Sequence, residues 1–361
     1  MILYCDHQFP TFVVGSLPRP QWVRDVIEDR KKEKITWREA DYLLDSAVPS
    51  AIRLQERAGL DFVSDGEWRR ENYVKVIAEA VDGFQADAFY RHDRTRPSEY
   101  AVTRRMSQHR PLVTGAAAFL KAGTTRSLIV AVPSPFIVGQ RMWHEKFSSS
   151  AYPSRAMFME ACVPIIRKEI GRLLEMGIDQ VQIDDPELLM LVDPDYRARM
   201  GIRDMEKAKS LAIRMINAVS EGHDEDRLSL HMCHAHFNRR RSTTGSYEPI
   251  IELLGDIRVR RFAMEFAANE SEGIEVLARF PKDKVLGLGV IDHCNSTVES
   301  PAELVERVES VLTYITPERI TLNPDCGFSP SSVNPMDLDE AYTKLKSMCA
   351  AADILRARHE Q

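Results

Sequence analysis

The chain has 361 residues with a formal net charge of −6, 44% of them hydrophobic and 28% charged, the composition of an ordinary globular protein. The acidic balance gives no basic footing for nucleic acid, and no apolar run approaches the roughly 18–20 residues that span a bilayer. The stretch 1–7 lacks the charged and apolar regions of an export signal, so the six cysteines read as free thiols or metal ligands of a cytoplasmic protein, not as a disulfide framework.

In chain order, Phe12-Val13-Val14 reads as a first strand. Leu43, Leu44, Ala47, Ala51 and Leu54 stand at helical spacing and predict one helix over 37–57. Ala58-Gly59-Leu60 turns into a second strand, Phe62-Val63-Ser64. Residues 74–125 are polar, aromatic and basic with no clear period, and read as a long insertion with room for a hairpin. Further strands are predicted at 127–132, 180–183, 228–232, 261–265, 285–290 and 319–322. Helical patterns fall between them at 154–176, 205–219, 248–254, 273–279 and 301–314, with a last helix over 337–357. Alternating strands and helices predict a parallel sheet, and eight strands predict a closed (β/α)₈ barrel, a TIM barrel, as a single domain over 1–361. No Gly-rich dinucleotide fingerprint follows the first strand, which disfavours a doubly wound open sheet.

Polar residues stand at the C-terminal ends of these strands, where such a barrel builds its active site: Ser16, Glu67, Asp184 and Asp185, His231 and Cys233, Glu265, Asp292 and His293, and Cys326. His231 and Cys233, two apart on a strand, point to one face, and imidazole and thiolate are donors that Zn²⁺ prefers. The plain alternative is a strand-end histidine and a small buried thiol. Cys326 ends another strand just before Gly327, and Glu265 ends a strand within an apolar run, where an acid must be paired, protonated or bound to a cation. A His/Cys/Cys site with Glu265 as fourth ligand is closed at rest and opens if a substrate thiol displaces the carboxylate.

Other motifs leave more than one reading each. Asp184-Asp185-Pro186 offers an ammonium site, support for a metal ligand, or a helix cap. Glu67 is a strand-end acid or half of a solvated charge run. In Gly15-Ser16-Leu17-Pro18-Arg19-Pro20, the amides, the Ser16 hydroxyl and Arg19 suit a carboxylate, or the segment is a Pro-stiffened turn. His234 and His236 stand where the chain leaves its strand and rank below the ligand set. Arg239-Arg240-Arg241 is an anion contact or a solvated loop. Cys294 reads as an ordinary loop cysteine, and Cys5, Cys162 and Cys349 as structural.

His231-Met232-Cys233, Met264-Glu265, Gly287-Leu288-Gly289-Val290-Ile291-Asp292 and Asn323-Pro324-Asp325-Cys326-Gly327 resemble the catalytic barrel of cobalamin-independent methionine synthase. Val14-Gly15-Ser16, Gly66-Glu67 and Gln182-Ile183-Asp184-Asp185-Pro186 extend the match. The resemblance implies a barrel of the superfamily that includes uroporphyrinogen decarboxylase, and a zinc-dependent methyltransferase acting on the thiol of homocysteine. It implies zinc held by His231, Cys233, Glu265 and Cys326, the substrate carboxylate at Ser16 with Arg19 nearby, and its ammonium at Glu67 and Asp184. A proton donor is implied just after the Asp292 motif. There Cys294 holds the aligned position and His293 precedes it, so His293 and Asp292 are the candidates. The methyl donor would be a methyl-folate, a methylcorrinoid on a partner protein, or a small methylated compound, with Trp143 able to stack on a flat donor. Short single-barrel relatives include epoxyalkane:coenzyme M transferases, so addition of coenzyme M to an epoxide by the same zinc chemistry is the alternative; no nucleic acid or membrane is involved in either.

Overall fold

The computed structural model describes residues 7–86, 100–268, 273–329 and 336–359. Eleven strands are described: β1 (Phe62–Val63), β2 (Val81–Gln85), β3 (Ala101–Gln108), β4 (Ser127–Pro133), β5 (Gln180–Asp184), β6 (Leu228–His231), β7 (His236–Phe237), β8 (Arg240–Arg241), β9 (Arg261–Met264), β10 (Val285–Ile291) and β11 (Ile320–Pro324). Seven of them form one sheet in the order β1-β4-β5-β6-β9-β10-β11, every pairing parallel. Parallel neighbours need a crossover, and helices Arg155–Glu175, Met205–Ser220 and Pro301–Val311 serve here, while Leu338–His359 follows the last strand. Strands such as Ser-Leu-Ile-Val-Ala-Val-Pro are apolar along their length because helices cover one face and the curled interior the other.

The sheet is curled. Phe12, Phe62 of β1, Ile129 of β4 and Ala263 of β9 share one small apolar cluster. Three strands lie between β1 and β9, so a flat sheet could not bring these side chains together. The segment expected as the first strand makes a single parallel bridge, Thr11 to Leu322, not a strand over 12–14. Its backbone nevertheless bonds both sheet edges: Phe12 N donates to Leu322 O at 3.1 Å, and Phe62 N donates to Thr11 O at 3.0 Å.

The helix expected over 37–57 is two helices, Trp37–Asp45 and Val48–Ala58. Pro49 accounts for the break, since proline has no N–H for an interior turn and is tolerated in a first turn, where it stands here. The Thr36 capping box starts the first helix, and left-handed Gly59 ends the second. Within the expected insertion lie helices Val76–Ala80 and Thr114–Gly123 and the antiparallel β2–β3 hairpin. The segments expected as helices near 248–254 and 273–279 are 3₁₀ turns, Glu252–Asp256 and Ile274–Arg279. Among the described residues no helix is long and apolar enough to cross a membrane. Cys162 and Cys349 are buried, and burial pushes both thiols up, to about 12 for Cys349; Cys5 lies outside the described residues.

Candidate active site

The C-terminal ends of the parallel strands carry the expected residues to one place. β6 ends at His231, but Met232 N still donates to Ala263 O at 3.0 Å, so the extended path continues to Cys233. Cys326 follows β11, and its thiol donates to Cys233 Sγ at 3.6 Å. His231, Cys233 and Cys326 each bring a donor atom within 4.8 Å of the other two, and all three residues are buried. His231 Nδ1 donates to Asp184 Oδ1 at 3.1 Å, whereas Nε2 has no hydrogen-bond partner. A buried imidazole nitrogen left bare beside two thiols is a donor set that suits a borderline-soft cation, and a carboxylate on the other nitrogen is the usual support of a metal-binding histidine. The hydrogen bond from Cys326 and the neighbouring His231 hold Cys233 well below the usual thiol range. Burial opposes charge on His231, but the Cys233 thiolate and Asp184 raise its pKa to about 10.

Glu265 is fully buried. His234 Nδ1 donates to Glu265 Oε2 at 2.6 Å, Arg241 lies 3.4 Å from the same oxygen, and His236 Nε2 is 3.2 Å from Oε1. Cys233, His236 and Glu265 form a second group of close donors that shares Cys233 with the first. His234 and His236, ranked low from the sequence, thus both face the site. The turn that brings them back passes through Ala235 at a φ of 48°, a left-handed conformation costly for a residue with a side chain and of the kind that collects at functional sites.

Buried charges of both signs gather after β1 and on the Ser16 loop: Asp65, Glu67, Arg70 and Arg19. Glu67 is buried at a φ of 59°, 3.4 Å from Arg70, and burial lifts its carboxyl to about 7 with Asp184 adding to the rise. A Cβ on Gly15 would meet Glu67 Oε1 at 3.0 Å, and Gly15 itself has a φ of 67°, so glycine is required there twice over. Ser16 Oγ accepts from Ser329 N at 3.2 Å, and a Cβ on Gly327 would strike Ser16 Oγ at 2.7 Å. Arg19 donates to Glu67 O at 2.9 Å and Ser329 O at 3.2 Å, so it ties two loops together.

The adjacent acids divide their work. Asp185 accepts from Ser134 Oγ at 2.5 Å and caps the helix Pro186–Met190, and burial lifts its pKa to about 7. Asp184 accepts from Gln182 Nε2 at 2.8 Å as well as from His231. Asp325, between the metal-site strand and Cys326, accepts from the backbone N–H groups of Phe266, Ala267 and Ala268 and so holds the chain after Glu265. Nothing in its spacing announced that role. Asp292 accepts from Cys294 N at 2.8 Å and shapes its own loop. His293 is buried against His236, and burial with nearby cations holds its pKa well below the usual value, so it carries no extra proton at neutral pH. Trp143 donates to Tyr152 O at 2.9 Å, with Arg155 5.7 Å from its ring centre.

The family model described as "Cobalamin-independent synthase, Catalytic domain" matches residues 9–354. Methionine synthase of Pyrococcus horikoshii is 29% identical over 357 residues, covering 98% of this chain and 94% of that protein. Methionine synthase of Saccharolobus islandicus is 28% identical over 352 residues, covering 96% and 95%. Among solved structures, a B12-independent methionine synthase from Shewanella, in complex with selenomethionine, superposes at a TM-score of 0.78 with 20% identity, over 97% of this chain and 98% of that one. A Listeria monocytogenes structure described as a "Putative Vitamin-B12 Independent Methionine Synthase" superposes at a TM-score of 0.72 with 20% identity, over 96% of this chain and 99% of that one. These structures share the fold: an α/β chain built on a curled parallel sheet.

Proposed function

The chain belongs to the family of cobalamin-independent synthase catalytic domains, and from that premise we propose that it is a zinc-dependent methyltransferase that converts homocysteine to methionine. The observation that carries the reading is the bare Nε2 of buried His231 beside the Cys233 and Cys326 thiols. His231, Cys233 and Cys326 would hold the zinc, with Glu265, in the adjoining group that shares Cys233, as the fourth protein ligand. When bound, zinc supplies the Lewis acidity that lowers the pKa of a substrate thiol.

The rest of the work falls to the chain's own side chains. Glu67 and Asp184 present two buried carboxylates to one space, and an ammonium group between them offsets their mutual repulsion. Ser16, on the loop closed against Gly327, is the group for the substrate carboxylate, and Arg19 acts by holding the two loops in register. This acidic lining favours a thiol that carries an ammonium. Coenzyme M has no ammonium to place beside Glu67 and Asp184, which favours homocysteine over it. The methyl donor is a methyl-folate or a methylcorrinoid carried by a partner protein. As to architecture, the bonds of Thr11 and Phe12 to both sheet edges support one closed (β/α)₈ barrel spanning the chain.

Zinc X-ray absorption on the purified protein tests the proposal. The His231–Cys233–Cys326–Glu265 site, with one zinc bound per chain, is expected to show two sulfurs with nitrogen and oxygen, and to gain a third sulfur when homocysteine is added. A spectrum unchanged by homocysteine but altered by coenzyme M would transfer the reading to epoxide opening. Assays with each donor class then separate folate from corrinoid.

A further inference from the structure

We infer that His236, His293 and Cys294 form a second site for a divalent cation of the zinc class, separate from the His231–Cys233–Cys326 group. The three donor atoms lie within 4.8 Å of one another. The His236 and His293 rings meet edge to face with centres 4.1 Å apart, and Cys294 Sγ is 3.8 Å from His293 Nε2. The His236 side chain is 2% exposed and His293 is 1% exposed.

What points to a ligand is the state of the nitrogens. Neither ring nitrogen of His236 has a hydrogen-bond partner, and neither does His293 Nδ1. His236 faces the Cys233 and Cys294 sulfurs and Glu265, but its contacts with them miss hydrogen-bond geometry. Bare nitrogens on a buried ring such as His236 are costly, and that ring stands beside the Cys294 thiol, to which His293 also presents Nε2 at 3.8 Å. Two imidazoles and one thiolate are a donor set that a tetrahedral borderline-soft ion accepts, with one position left over. Cys294 also lines a cavity of about 650 Å³ with Arg239, Asp292 and Asn295, so a fourth, exchangeable ligand can arrive from that side. The two groups share no ligand. His236 does reach Cys233 and Glu265, and a single ion that uses His236 as an alternative ligand is the competing arrangement.

Metal stoichiometry decides between them without recourse to activity. The metal-free full chain is saturated with zinc, desalted and measured by plasma mass spectrometry, and parallel Co²⁺ titrations follow the thiolate-to-cobalt absorption. Wild type is expected to hold two equivalents, the His293→Ala/Cys294→Ser variant one, and the Cys233→Ser/Cys326→Ser variant one. Wild type saturating at one equivalent overturns a pair of sites, and the variants then identify which group holds the ion. If that one equivalent survives His293→Ala/Cys294→Ser and is lost in Cys233→Ser/Cys326→Ser, the first site stands alone. If the pattern is reversed, the second site stands and the zinc reading under Proposed function falls. Circular dichroism melts check that each variant is folded. If a double variant fails to fold, the wild-type count and the single Cys294→Ser variant, expected to lose about a third of the cobalt–thiolate absorption because one of three thiolates is removed, still decide.

Discussion

Asp184 and His231 are register partners on adjacent parallel strands, and the carboxylate of one accepts from Nδ1 of the other at 3.1 Å. The bond fixes the imidazole so that Nε2 faces the two thiols. It also joins the expected metal group to Glu67, whose carboxyl Asp184 pushes further up, and these two acids are the proposed seat of the substrate ammonium.

Asp184→Asn separates those two roles. Loss of the carboxylate behind a metal-binding histidine weakens metal affinity roughly 10–100-fold. Competition with a zinc chelator should show a loss of that order. KM for homocysteine should rise at the same time, since Asp184 also faces the ammonium. A Glu67→Gln variant should raise KM alone; equal zinc loss in both would remove the distinction.

Amino-acid binding should depend on the protonation of Glu67, whose carboxyl is lifted to about 7. The charged form holds the ammonium, so binding should weaken as pH falls through about 7, approaching tenfold per unit below it. Linkage to stability has the opposite sign. A folded pKa raised above the ordinary 4.5 means that burial of this acid opposes folding increasingly as pH climbs from 4.5 to about 7, and the penalty is constant above that. Glu67→Gln should flatten both profiles in calorimetric titrations and melts. A binding constant unchanged from pH 8 to 6 in the wild type would argue against Glu67 as the ammonium partner.

Glu265 has a structural duty independent of any metal, because His234 and Arg241 both depend on it. Glu265→Leu leaves the buried His234 and the partly exposed Arg241 without their carboxylate, and removing one partner of a buried pair costs up to about 3–5 kcal/mol. Urea melts in the presence of a chelator should show that loss. If the variant is destabilised only when zinc is supplied, the carboxylate acts through the metal alone.

Arg261 is the reverse case. It is fully buried over the Phe12 ring at 4.0 Å, its guanidinium nitrogens have no hydrogen-bond partner, and burial alone lowers its pKa to about 9. At neutral pH the folded state carries that charge in apolar surroundings, so Arg261→Met should melt at the same or a higher temperature, by up to about 1–4 kcal/mol of stability. The advantage should fade as pH rises from about 9 toward 12.5, where the folded guanidinium has already lost its proton. A clear drop in melting temperature at pH 7 would reveal an interior partner for this cation.

Much of the site was legible in the chain because its signals are local. His231 and Cys233 share a face through the two-residue repeat of extended backbone, and Cys326 marks its strand end by the glycine that follows. Seven of the eight expected strands, and most of the long helices, follow from apolar runs and spacing that neighbours along the chain suffice to define. Tertiary structure decided the rest, because it depends on register and curl between distant segments. Asp184 and Asp185 are equivalent in sequence, yet the β5–β6 register sets one against His231, while the other turns to Ser134 and a helix end. Thr11 becomes a bridge between sheet edges only because β1 and β11 curl toward each other, and His236 meets Glu265 and His293 only because the chain reverses at Ala235. The periodicity of a single segment carries no record of such meetings, since they are fixed by which strand lies beside which.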